Sequence, residues 1–63
     1  MTQKELSYME DAIGHEDNIV KIISDMIEKI DDQNLITFLN NEQSKHSTIR
    51  ENLVSKLRGK LNE

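Results

Sequence analysis

The chain contains no cysteine, no proline and no tryptophan, and only one phenylalanine and one tyrosine. Without cysteine there can be no disulfide, no thiolate zinc site and no thiol nucleophile. Scarce aromatics leave no platform for stacking bases, and a net charge of −4 with a pI near 5.0 also argues against nucleic acid. Uninterrupted apolar runs stop at pairs such as Ile22-Ile23. That pattern excludes a membrane span and offers no secretory leader. Neither end carries a lipidation signature, so the expected location is the cytoplasm. Serines and threonines are scattered without a base and an orienting acid, and no glycine-rich phosphate loop is present. Nothing in the sequence calls for an enzyme.

What remains is short and helical. Sixty-three residues allow one domain, spanning 1–63, with too little core to be comfortable alone. A chain of this size is usually stapled by a partner, a metal or a second copy. Helix 1 is predicted over about 3–31. Thr2 and Glu5 have the spacing of a capping box, in which each side chain satisfies the other residue's free backbone N–H. Leu6, Met9, Ile13, Val20, Ile23, Ile27 and Ile30 then alternate by three and four, with Glu16 in the one remaining slot. Ala12, Ile19 and Met26 flank this seam and widen it beyond what one neighbouring helix covers.

The turn is placed at 31–34 and is made without Gly or Pro, Asp32 serving as N-cap for a second helix over about 33–60. So short a connection makes the helices antiparallel neighbours. On helix 2 the apolar stripe is taken as Leu35, Leu39, Ile49, Leu53, Leu57 and Leu61, with Phe38 and Val54 at its margin. The expected fold is therefore all-α: a two-helix hairpin that dimerises into a four-helix bundle. Charge is split along the chain. Residues 1–32 hold nine acids and three bases, residues 33–63 three acids and five bases. Lys56, Arg58 and Lys60 complement the dipole at the end of helix 2.

Three polar residues stand in seam slots: Glu16, Glu42 and His46. An unpaired buried carboxylate is costly, so Glu16 must meet water, a cation or a metal. Glu42 and His46 are four apart and share one helical face. Imidazole with carboxylates suits zinc, manganese or iron, and a symmetric dimer would double the ligands available from one hairpin. Each residue also has a structural reading. Glu42 would pair with Lys45 or His46, and His46 would be a partly buried imidazole bonded to Glu42. Glu16 would fix register or oligomeric state. His15 lies off the seam beside Gly14 and is expected in solvent; with Glu16 it lacks the second histidine of a zinc-protease helix.

On these residues the chain resembles one hairpin of the ferritin-like superfamily, of the rubrerythrin-like, encapsulated-ferritin or spore-coat types. The turn Asp32-Gln33-Asn34-Leu35 is similar to that family's Asp-x-x-Leu turn, and Glu16 stands where its first ligand is expected. The resemblance covers roughly residues 6–57. It implies two hairpins pairing into a four-helix bundle with carboxylate-bridged metals between helices. Counted from Leu35, however, the family's Glu-x-x-His falls on His46 and Ile49, so only Glu16 carries over intact.

Three functions are compatible with these features. The favoured one is a self-associating ferritin-like protein with a structural or interaction role, a dimer or higher homo-oligomer without a cofactor. The second is a metal-binding bundle using Glu16, Glu42 and His46 for iron, manganese or zinc. The third is a small regulatory or antagonist protein that docks on a larger protein partner.

Overall fold

The computed structural model describes the whole chain, Met1 to Glu63, as two helices: α1, Gln3–Lys29, and α2, Gln33–Leu61. The particle measures 47 × 15 × 10 Å, one long hairpin with no third layer. Of 52 backbone hydrogen bonds, 48 lie inside the helices and the others cap their ends. No backbone–backbone hydrogen bond therefore joins the two helices. No helix is long and apolar enough to cross a membrane.

The caps form as the sequence dictates. Thr2 Oγ1 accepts from the Glu5 backbone N–H at 3.1 Å, and Glu5 Oε1 accepts from the Thr2 backbone N–H at 2.7 Å. Asp32 Oδ1 accepts from the Leu35 N–H at 3.1 Å. The loop itself is Ile30–Asp32, earlier than the expected 31–34. Ile30 is extended at φ −111°, ψ 135°, and Gln33 already belongs to α2. The negative end of the α1 dipole accepts Lys29 in its last turn and disfavours the two carboxylates that follow, so the helix stops before Asp31. No loop residue has a positive φ, which is why neither glycine nor proline is needed. Gly14 and Gly59 are both inside helices, with no atom near where a Cβ would be. Each is simply tolerated there.

The seam of α1 is the expected one, with Leu6, Met9, Ile13, Val20, Ile27 and Ile30 half-buried and Ile23 only 7% exposed. The seam of α2 is different. Its inward residues are Ile36, Leu39, Gln43, His46, Arg50, Leu53 and Leu57, again alternating by three and four. Leu35 and Ile49, read from sequence as seam residues, are 45% and 42% exposed, and Phe38 and Leu61 are also outside. The two stripes share Leu39, His46, Leu53 and Leu57 and differ by one residue at the other positions, a mean rotation of the inward face by roughly 50°. The true seam has polar residues at its centre, Gln43, His46 and Arg50, and their contacts to α1 decide which stripe turns inward.

Only Ile23 and Leu39 are buried, and no side chain is completely enclosed. Each contributes roughly 1.5–3 kcal/mol, so a single mid-seam layer supplies most of the dry core.

Two outcomes are expected from the caps. Asp32→Ala should destabilise the hairpin by about 1 kcal/mol in urea unfolding, since the α2 N-terminus loses its acceptor. The Thr2 backbone and side-chain hydrogen bonds hold the Glu5 pKa below its ordinary value of 4.5. A depressed carboxylate pKa stabilises the folded state fully above 4.5, and that support is lost as pH falls through the lowered folded value. Amide protection in the first turn of α1, measured against the intrinsic exchange rate at each pH, should accordingly fall at acid pH in wild type and already be low at neutral pH in Thr2→Ala.

Candidate functional site

Four polar contacts bridge the helices, and all of them lie in the middle of the seam. Gln43 Nε2 donates to the Val20 carbonyl at 3.1 Å and to Ser24 Oγ at 2.6 Å. His46 Nδ1 lies 2.6 Å from Glu16 Oε2. Arg50 Nε donates to Asp17 Oδ1, while its Nη1 reaches Glu51 at 3.1 Å. These contacts fix a register in which Ile23 is level with Leu39, Glu16 with His46, and Met9 with Leu53.

The Glu16–His46 pair is the most enclosed of these contacts, with side chains 16% and 26% exposed. Since the carboxylate accepts, the imidazole proton is assigned to Nδ1, and Nε2 is the nitrogen left for water, a metal or a partner. The Arg50–Asp17 pair is more open. There the hydrogen bond and the charge of Asp17 push the Arg50 pKa up. A guanidinium is already charged throughout the usual pH range, so this pair does not titrate near neutrality.

Of the three ligand candidates, the structure brings two together. Glu16 and His46 meet across the helices. Glu42, half-buried on the flank of α2, binds Lys45 Nζ at 3.2 Å instead. No three His, Asp or Glu side chains converge as a metal-holding group within the hairpin. One chain therefore does not fit a metal on its own. His15 is in solvent, and Tyr8 is exposed towards the open end.

Gln43 and Arg50 escaped the sequence reading although they hold the helices together. The signal was present: counted from Ile36, the strict alternation of three and four passes through both. Long polar side chains there look like surface, because their stems can pack while their heads reach the partner helix.

The sides of the seam differ. Ser24 and Asp17 receive Gln43 and Arg50 on one edge, which also carries Glu10, Asn40 and Ser47. Positions just before the seam lie on the opposite edge: Ala12, Ile19 and Met26 on α1, with Leu35, Glu42 and Ile49 on α2. A shallow cleft at the open end confirms that these two flanks face the same way, since Glu5, Tyr8 and Met9 line it together with Lys56 and Lys60. Glu16 and His46 lean towards this second, largely apolar side.

The double variant Glu16→Leu/His46→Leu should be at least as stable as wild type in urea, because an apolar pair of similar size needs no desolvation. Each single variant should lose stability by leaving its partner unpaired, with a coupling of roughly 0.5–3 kcal/mol in the double-mutant cycle. Additive effects would show that the contact carries no energy.

Compared with protein families, with curated proteins and with solved structures, the chain matches none.

Proposed function

We propose that this chain is a small self-associating helical protein of the cytoplasm, with a structural or protein-interaction role, whose hairpins pair into a four-helix bundle of ferritin-like form. The observation that supports this reading is surface area. The hairpin exposes 4939 Å². A compact monomer of its 7.3 kDa would expose only about 4,200 Å². The excess resembles the roughly 800 Å² that each partner loses in an interface of standard size. Exposed Phe38 and Ile22 contribute to it while only two residues are buried. The ferritin-like form rests on the Asp32 to Leu35 turn and on the inward Glu16.

A second reading, metal binding, is supported by one observation, the meeting of Glu16 and His46. A carboxylate that holds Nδ1 orients Nε2 outward, as in carboxylate–histidine–metal arrangements. The remaining ligands would have to come from another copy, because Glu42 is turned to Lys45.

Sedimentation equilibrium at micromolar concentration is expected to give at least twice the 7.3-kDa chain mass, with a thermal midpoint that rises with protein concentration. A folded monomer with a concentration-independent midpoint would refute the reading. Metal binding predicts a higher melting temperature with zinc, iron or manganese in wild type and none in His46→Ala; unchanged curves with all three ions reject it.

A further inference from the structure

The exposed large apolar side chains are not spread around the hairpin. Ile22 and Met26 of α1 and Leu35, Phe38 and Ile49 of α2 are all 40% exposed or more. Together with half-buried Ile19 they occupy the flank on which Ala12 and Glu42 lie, from the turn to the level of Ile49. This flank is also the one towards which Glu16 and His46 lean. The outer surface and opposite edge of α1 carry Glu10, Asp11, Asp17, Asp25 and Glu28. One long side of the particle is thus largely apolar, while on the other the acids of α1 outnumber the bases there, Lys4 and Lys21.

We infer that a second copy of this chain seats on the flank formed by Ile19, Ile22, Met26, Leu35, Phe38 and Ile49, apolar side to apolar side, enclosing the Glu16–His46 pairs of both copies between the hairpins. The inference rests on the self-association proposed above and specifies its surface. Area is the first argument for a second copy. Two separate hairpins expose twice 4939 Å². One compact particle of twice the mass would expose about 6,900 Å², so a pair that became as compact as that would lose roughly 3,000 Å². That loss falls in the range of about 2,000–5,000 Å² for obligate homodimers.

Charge is the second argument. Within the apolar stretch, Glu42 is already paired with Lys45 at 3.2 Å, so that pair brings no net charge to the contact. Meeting through the acidic side would oppose like charges instead. The polar pair in the floor is the third. Once covered, His46 Nε2 still requires a hydrogen-bond partner. A hydrocarbon surface offers none, whereas the same flank of a second copy presents a donor, the Lys45 ammonium.

The test uses the full chain. Wild type is first placed in its associated state by sedimentation. Phe38→Glu and Ile22→Glu, on the proposed interface, should each raise the dimer dissociation constant at least 100-fold. Asn40→Glu and Asn18→Glu, on the other sides, should leave it within threefold. Because a hairpin stripped of its partner can lose its fold, single-cysteine variants provide a second readout, the native chain having no cysteine. Maleimide should label Met26→Cys at least tenfold more slowly than Asn18→Cys at concentrations where the dimer forms, and the difference should shrink on dilution. A dimer that tolerates glutamate at Phe38 and Ile22, or labels Met26→Cys at the rate of Asn18→Cys, overturns this face while leaving self-association intact. A wild-type chain that stays a folded monomer overturns both. So does a monomer that binds anionic phospholipid vesicles through Phe38 and Ile22, because the occupant is then a membrane surface.

Discussion

In a two-helix hairpin each helix has one neighbour. This constraint governs everything else about the molecule. Any apolar stripe wider than a single seam is left uncovered, and α1 and α2 each have such a stripe. A third helix could lie over Ile19, Ile22 and Phe38, but the chain has none. The consequence is a particle with one fully dry layer, Ile23 against Leu39. Two long helices of this kind cannot rely on intrinsic propensity either. The β-branched residues that fill the α1 seam lower helix propensity slightly, so packing must supply the difference.

The polar centre of the seam follows from the same geometry. An interface only two helices thick keeps every seam residue within reach of water at its edge. A glutamine, a histidine and an arginine can therefore occupy consecutive inward positions of α2 without being stranded. Their heads find the Val20 carbonyl, Ser24, Glu16 and Asp17. No buried side-chain polar atom is left without a partner. These directional contacts set which stripe of α2 turns inward, a choice that hydrophobicity alone leaves balanced. Turning the other stripe inward would exchange Ile36, Gln43 and Arg50 for Leu35, Glu42 and Ile49 and would break the bridges that Gln43 and Arg50 make.

That balance explains what the sequence made legible. The capping box at Thr2 and Glu5, the N-cap at Asp32 and the whole α1 seam were readable because each is local: a fixed spacing along one helix determines it. The hairpin followed from the short connection. The inward face of α2 was not readable in the same way, since the stripe through Leu35, Glu42 and Ile49 and the one through Ile36, Gln43 and Arg50 differ by a single apolar residue. What selects Gln43 and Arg50 is a pairing with residues of α1, and such pairings are not encoded in the periodicity of α2. The candidate site was partly legible for the same reason. An inward Glu16 could be predicted from its seam slot, but its partner could not. The Glu42–Lys45 pair is local to α2, and Lys45 was among the partners expected for Glu42.

The asymmetry between the flanks also bears on how far assembly can proceed. An apolar surface on both sides of a hairpin would let copies stack without end. Here one side is apolar and the other carries the carboxylates of α1, so a contact between like flanks uses up the apolar surface of both partners. Such a contact is self-complementary under a two-fold axis and closes after two copies. The net charge of −4 then remains on the outside, where it keeps finished particles apart. On the proposed pairing, the uneven distribution of charge and hydrophobicity around a hairpin too thin to cover itself both drives association and limits it to two copies.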